Sequence, residues 1–446
     1  MYINKIEIQN IRSISHLEMT FDNNHAGWHV LIGDNGTGKS TVIKSISAAL
    51  IGINEFYALR QDPQDWFNQK KWIERESLLL GGITLAIIQE PKYDLILENK
   101  PVINGNLFNK LIFYSISKSA DRQNPQKFHP VSVIGVTKEE VPLRLSPLDY
   151  NWNKNNSGWF SVAYGPMRRF SGGDEFEELQ KNNPKLFAHL SALEESFVLS
   201  EPVKWLKNLQ FQKLENDKEG KVIDDILKFV NDGKLLPNNT KIESVSSKGV
   251  FFKDGNGSII SINDLSDGYR SVLSMTFEII RQMILQYGSD LVFESIRKGD
   301  MRIMLPGVVL IDEIDAHLHP TWQTKIGEWF LKYFPKIQFI VTTHSPLVCR
   351  ASEHGTIWKL SSSDDGNIIN QITGTDKDRL VFGNVLDAFE TDAFGEDVSR
   401  SDVSQKKLEQ LAKLNMLQTL GKLDKSKEQE LQDLKKIFST DDTFKI

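Results

Sequence analysis

Residues 28–41 read WHVLIGDNGTGKST. Val30, Leu31 and Ile32 form an apolar run suited to a buried strand. Gly33, Asp34, Asn35, Gly36, Thr37 and Gly38 follow, and Lys39, Ser40 and Thr41 lead into TVIKSISAALIG, whose apolar residues recur with helical spacing. Glycines here let backbone N–H groups converge on an anion, and a helix start adds the positive end of its dipole. The spacing matches G-x-x-x-x-G-K-[ST], the phosphate-binding loop. In that pattern Lys39 reaches the β and γ phosphates of a nucleotide and the Ser40 hydroxyl is offered to Mg2+. A Gly-rich turn with a chance Lys-Ser is the competing reading, and the order strand, loop, helix speaks against it.

A second stretch, GVVLIDEIDAHLHP (307–320), ends four apolar residues, Val308 to Ile311, in Asp312 and Glu313. Buried strands of parallel sheets look like this, and ligands bind at their carboxyl ends. Asp312 is then placed to hold Mg2+ through water and Glu313 to polarise a water attacking the γ phosphate. Two solvated acids in a turn are the alternative. Beyond them, THSP (343–346) follows another apolar strand, Ile337 to Val341, so His344 is a candidate γ-phosphate sensor, although a lone histidine is more often structural. His317 and His319 suggest metal, but no third or fourth ligand accompanies them at a useful spacing. They are expected to line the phosphate end of the site or a subunit contact.

A third stretch, LSDGYRS (265–271), holds Ser266 and Gly268 where a helix begins, ahead of Val272, Met275, Phe277, Ile279, Ile280 and Ile284. Alone, such a start reads as a plain N-cap. The elements that must position these stretches are legible. VFFKDGNGSIISI (250–262) predicts a hairpin around Asp254-Gly255-Asn256-Gly257 that delivers the chain to Ser266. Trp322, Ile326, Trp329, Phe330 and Tyr333 stripe a helix whose aromatics are expected to be core.

Composition limits the function classes. The 446 residues are 40% hydrophobic and 25% charged, the balance of an ordinary globular protein. With 53 Lys plus Arg against 59 Asp plus Glu, the net charge of -6 predicts no global attraction to DNA or anionic membrane, so any nucleic-acid site is local. The single Cys349 rules out an internal disulfide, MYINKIEIQN lacks the features of a signal peptide, and no run reaches about 18 apolar residues. The expectation is a soluble cytoplasmic protein that does not engage a membrane.

GDNGTGKS, LSDGYRS, LIDEIDAHLHP and TTHSP, in that order, resemble the ATPases of the ABC superfamily, in particular the soluble branch with the chromosome-maintenance and recombination-repair heads. The likeness covers roughly residues 1–360. It implies an α/β fold: a P-loop ATPase head with a mixed sheet core, an antiparallel β subdomain and a helical lobe, followed here by a C-terminal helical tail. It also implies that LSDGYRS is the signature motif, completing the nucleotide site of a second subunit, with Ser266 donating to the γ phosphate and Gly268 allowing close backbone approach. Arg12, in INKIEIQNIRSISHLEMTF, would lie near the phosphates, with an exposed strand-end arginine as the alternative. The chain departs from the pattern at WFSVAYGPMRRF (159–170), where Tyr-Gly-Pro and Arg168-Arg169 replace the expected glutamine. That segment, LSDGYRS and DAHLHP resemble instead the AAA-labelled ATPases of Septu-type and retron-associated anti-phage systems. The resemblance implies ATP and Mg2+ as cofactors, a head-to-head dimer within a higher oligomer, a separately encoded HNH-type nuclease as partner, and DNA reached through the complex. A recombination-repair DNA clamp without nuclease partner is the alternative.

The expected organisation is an ATPase lobe over 1–170 with extra strands such as GGITLAIIQ and KYDLILENK, and a helical insert over 171–240. The signature, acidic-pair and His344 segments follow over 241–365, then a helical partner-docking region over 366–446. The Asp376/Asp378 pair is expected in a polar loop, and no nuclease domain is expected. In the tail Leu408, Leu411, Leu414 and Leu417 stripe one helix. Ser426 with Gln429 resembles a capping box for a second, striped by Leu431, Leu434, Ile437 and Phe438. These helices either fold back on the core or cover a partner.

Overall fold

Four parallel strands carry three of the four motifs' neighbours at one sheet end. They are β3 (Gly27–Gly33), β8 (Ser161–Tyr164), β12 (Gly307–Ile311) and β13 (Ile337–Thr342). With parallel β14 (Ile357–Ser361) and antiparallel β15 (Ile368–Ile372) they give the order β15-β14-β3-β13-β12-β8. Residues of β8, β12 and β13 are buried throughout, as in a sheet covered on both faces, which explains the unbroken apolar run of β12. The computed structural model describes residues 1–21, 25–56, 58–59, 66, 78–88, 90, 92–94, 107–116, 127–128, 131–136, 158–167, 182–197, 201–215, 219–234, 236, 239–362, 368–384, 388, 391 and 402–438. Arg168, Arg169, residues 95–100 of KYDLILENK, residues 174–181, and 363–367 of the polar SSSDDGN stretch lie outside the described residues.

A second, antiparallel sheet runs β2-β1-β4-β5-β6, with β7 also on β5. Its strands are β1 (Tyr2–Ile11), β2 (Ile14–Thr20), β4 (Leu78–Ile88), β5 (Leu107–Ile116), β6 (Lys127–Phe128) and β7 (Val131–Val136). Gln338, a buried polar residue near the start of β13, ties the two sheets together. Its side chain accepts from Ile3 N at 2.7 Å and donates to Ile3 O at 2.8 Å, where the β1–β4 register shifts. The amide thus satisfies two backbone groups that the irregularity takes out of the ladder.

Helix α1 (Lys39–Phe56) follows β3 and bends at Gly52, φ 75°. The expected helical insert contains α2 (Pro184–Leu193), α3 (Glu201–Leu214) and α4 (Val222–Asp232). A three-stranded sheet follows: β9 (Lys241–Ser246), β10 (Gly249–Lys253) and β11 (Ile259–Ser261), ordered β11-β10-β9. The β10–β11 turn is the expected hairpin, with Asp254 Oδ1 accepting from Asn256 N and Ser258 N. It feeds α5 (Asp267–Tyr287), the helix that LSDGYRS opens. A buried ion pair stiffens α5: Arg281 Nε and Nη2 donate to the two oxygens of Glu278, each at 2.7 Å, while the guanidinium lies over Phe187 of α2. Burial removes competing water, so the pair fixes how α5 sits on its neighbours.

Helix α6 (Pro320–Tyr333) carries the aromatic stripe. Ile326, Phe330 and Tyr333 are core, and Trp329 packs edge-on to Phe229 of α4. Trp322 departs from the expectation: it is half-buried and lines a pocket with Ser266, Gly268 and Tyr269.

The tail divides differently from the expected boundary at 366. β15 pairs with β14 and helix α7 (Gly374–Phe382) buries Leu380 and Val381, so the first compact unit runs through Phe382 and the second spans 383–446. Asp376 and Asp378 therefore sit in a helix rather than in a loop. Within the second unit, α8 (Asp402–Thr419) and α9 (Lys425–Ile437) pack on each other through Leu414, Leu431, Leu434 and Phe438, with Leu408, Leu411 and Leu423 alongside. Helix α9 begins at Lys425 with Asp424 in the cap position, two residues earlier than a box starting at Ser426 requires. Ile437 is 60% exposed, outside the shared face. Among the described residues no helix is long and apolar enough to cross a membrane.

Two buried histidines make stability depend on pH. His29 is lowered from 6.5 to about 4 and His189 to about 3, each chiefly because burial penalises the imidazolium. The unfolded chain takes up the proton first as pH falls below 6.5. Stability present above that pH is therefore lost toward 4 and 3, at about 1.4 kcal/mol per pH unit for each histidine. Urea unfolding of His189→Gln at pH 7 and pH 5 is expected to show a pH-linked loss about 2 kcal/mol smaller than the parent's. An unchanged loss would remove His189 from this role.

Candidate functional site

The phosphate-loop residues stand where β3 ends between β13 and β14. Gly36 and Gly38 have φ of 80° and 100°, left-handed conformations that turn the chain into α1 at Lys39. Thr37 Oγ1 donates to Asp34 O at 2.8 Å, and Lys39 Nζ donates to Gly33 O and Asp34 O at 2.7 and 2.9 Å. The ammonium thus sits across the mouth of its own loop. Its side chain is buried, which lowers its pKa, while Asp312, Glu313, Asp34 and Asp315 each pull it up. Four carboxylates thus act electrostatically on this one ammonium.

Asp312 and Glu313 leave the sheet at the end of β12. Asp312 is 3% exposed; its N–H donates to Tyr164 O at 2.8 Å, continuing the β8 ladder by one residue. Glu313 adopts φ 47°, a conformation that costs a non-glycine residue on the order of 1 kcal/mol and persists only where its surroundings enforce it. His344 is exposed just past β13. Its N–H points to Asp315 Oδ1 at 3.4 Å, and Thr343 Oγ1 donates to the same oxygen at 2.6 Å. Because β3, β13 and β12 are adjacent and parallel, with Leu31 opposite Thr342 and Ile311 opposite Val341, the segments around Lys39, His344 and Asp312–Glu313 come together at one end. Ser40 stands in the first turn of α1 and Asp312 at the end of β12, both hard oxygen donors of the kind Mg2+ prefers.

LSDGYRS packs beside the AHLHP segment. Ser266 and Gly268 line a pocket of about 490 Å³ with Tyr269, His317, Leu318, His319 and Trp322, and no residue of 33–41 contributes to its lining. Ser266 occupies the cap position of α5 and is exposed, and its hydroxyl makes no capping bond. Gly268 has a local reason of its own: an added Cβ would stand 2.7 Å from His317 O. The glycine thus admits the AHLHP backbone as well as leaving the pocket open. His319 Nδ1 accepts from Thr321 N and caps α6. His317 and His319 therefore belong with the signature segment and not with the phosphate loop. Among the described residues no metal-ligating cluster of three or more is present. Arg12 sits at the β1–β2 turn with φ 49°, its N–H bonded to Trp66 O and its guanidinium 4.7 Å from the Trp66 ring centre.

Sequence reasoning left three participants without a role: Thr342, Thr343 and Asp315. Their signal, hydroxyls closing the strand that precedes His344, has meaning only once β13 is known to neighbour β12.

These features define an α/β protein with a phosphate-loop motif at the end of a mainly parallel sheet and with LSDGYRS lining a pocket beside the AHLHP segment. More particularly, residues 29–350 match the family model described as "AAA domain, putative AbiEii toxin, Type IV TA system", and the chain belongs to that family. The chain is similar to the Septu protein PtuA of Bacillus mycoides (strain KBAB4), 26% identical over 372 residues, 82% of this chain and 41% of that protein. It is also similar to the Retron Vc95 probable ATPase of Vibrio cholerae serotype O1 biovar El Tor, 25% identical over 384 residues, 77% of this chain and 71% of the relative. The chain thus spans less than half the length of the Septu relative. Among solved structures, an Smc head bound to the C-winged helix domain of ScpA aligns with a TM-score of 0.48 at 13% identity, over 84% of this chain and 98% of that one.

Proposed function

We propose that the chain is an ATP-hydrolysing switch that works as a head-to-head pair and controls a partner nuclease in anti-phage defence. The observation that supports the pairing is that Ser266 and Gly268 line a pocket with His317, His319 and Trp322 to whose lining the loop around Lys39 does not contribute. A second copy presenting its signature pocket would complete each nucleotide site. The defence role is supported by the names of the Septu and retron relatives. Control of an HNH-type nuclease, and DNA as its target, rest on the family resemblance.

In this reading Lys39 exchanges its two carbonyl partners for the β and γ phosphates, and backbone N–H groups of residues 35–40 hold the remaining oxygens. Mg2+, held by Ser40 and Asp312, would supply neutralising charge on the phosphate oxygens. Glu313 orients a water in line with the γ phosphorus and takes its proton as the new P–O bond forms and the β–γ bridging bond breaks, releasing ADP and phosphate. His344 contacts the γ phosphate, and Ser266 of the second copy donates to it from the other side. Binding of two nucleotides closes the pair and hydrolysis opens it, which biases a partner between two states.

Sedimentation of the purified chain tests the pairing: monomer-equivalent heads without nucleotide are expected to shift to pairs with ATP and Mg2+, and mass independent of nucleotide would refute it. Co-purification from the native host tests the partner. A nuclease supports the defence reading, whereas DNA-dependent ATP turnover with no nuclease recovered favours the recombination-repair clamp.

A further inference from the structure

We propose that Thr342 is a positioning residue for the hydrolytic step, acting on Glu313 and Asp312 through a single hydroxyl. This rests on the reading of Glu313 as the base. Thr342 is fully buried at the end of β13, one residue past the last β12–β13 pair, Ile311 with Val341. The ladder has therefore ended where Asp312 and Glu313 need fixing. Thr342 Oγ1 donates to Asp312 Oδ1 at 2.5 Å and accepts from Glu313 N–H at 2.8 Å, while its own carbonyl accepts from Ile314 N–H at 3.0 Å. One residue thus touches three consecutive residues of the acidic segment.

The direction of this relay matters. A hydroxyl has one proton and two lone pairs. Giving the proton to the Asp312 carboxylate turns a lone pair toward the Glu313 N–H, so each bond favours the other. The N–H bond holds the peptide of Glu313, and with it the left-handed φ of 47° that sets where the carboxylate leaves the backbone. The same hydroxyl fixes the rotation of the Asp312 carboxylate, the proposed Mg2+ ligand. Thr343 next to it makes a parallel clip to Asp315 at 2.6 Å, so the strand that ends in His344 holds the acidic loop at two successive residues. The base, the metal-binding carboxylate and the γ-phosphate histidine are thereby spaced by one strand end.

Thr342→Val keeps the branched shape and removes the hydroxyl; Thr342→Ser keeps the hydroxyl and removes the methyl. Steady-state ATP hydrolysis with Mg2+ is expected to lose roughly 10- to 100-fold in kcat for Val, with KM for ATP within about 3-fold of the parent, and to stay near the parent for Ser. Because Thr342 acts through Glu313, the Thr342→Val and Glu313→Gln losses are expected not to add in the double variant. Loss in Ser with retention in Val would assign the methyl instead and overturn the proposal. So would a Val effect confined to KM, or full additivity with Glu313→Gln. Should Val not accumulate folded, Thr342→Cys, similar in volume with only a weak S–H donor, carries the same expectation; parental turnover there overturns it. Failure of the underlying reading looks different: either the parent does not hydrolyse ATP, or Glu313→Gln turns over normally.

Discussion

Glu313→Gln is expected to bind Mg2+-ATP as the parent does and to lose roughly 10²- to 10⁴-fold in turnover, the range a positioned general base contributes. The isostere keeps the backbone bond to Thr342 and the left-handed geometry, so the loss reports the missing proton acceptor and not a displaced loop. If hydrolysis is what opens the pair, the variant accumulates as a nucleotide-loaded dimer. Binding by equilibrium fluorescence, turnover by phosphate release and mass by sedimentation separate these outcomes. Normal turnover in the variant would remove Glu313 from the base role. Stalled turnover with no dimer would leave the chemistry in place and refute its coupling to pairing.

Ser266→Arg is expected to abolish hydrolysis while each chain still binds nucleotide at its own phosphate loop. Ser266 is exposed and makes no capping bond, so the substitution costs the fold well under about 1 kcal/mol. Its effect falls on the pocket, which the longer side chain fills. Lys39→Ala is the complementary lesion, because it removes the ammonium that lies across the phosphate loop. Each variant alone is expected to be inactive. An equimolar mixture is expected to recover about a quarter of parental turnover, since half of random pairs are mixed and each mixed pair has one intact site of two. Zero recovery, with mixed pairs demonstrated by differential tags, would mean that Ser266 serves the loop of its own chain.

The four motifs were legible because each is local. A phosphate loop needs its glycines, lysine and serine consecutively, and a strand buried on both faces announces itself as GVVLI before Asp312. The hairpin before LSDGYRS and the helix after it followed from turn residues and apolar spacing in the same way. Errors came where the outcome depends on distant partners. The Asp376/Asp378 stretch looks polar, but pairing of β14 with β15 and burial of Leu380 and Val381 draw it into the first unit as a helix. The cap of α9 stands at Asp424, two residues before Ser426, on a helix that packs against α8 through Leu431 and Leu414.

The sequence by itself determined the chemistry available: a loop for phosphate, paired acids, a histidine after a strand, and a serine-glycine helix start, each encoded within a few consecutive residues of its own segment. Only the tertiary structure decided their grouping. Parallel order β3-β13-β12 places Lys39, His344 and Glu313 at one end and puts the Thr342 hydroxyl against two acids 29 and 30 residues away. It sends Ser266 and Gly268 to a pocket shared with His317, His319 and Trp322. The physical reason is that strand order and helix docking are set by long-range burial, summed over the whole core. Residue types at fixed spacing reflect only the backbone geometry of their own segment.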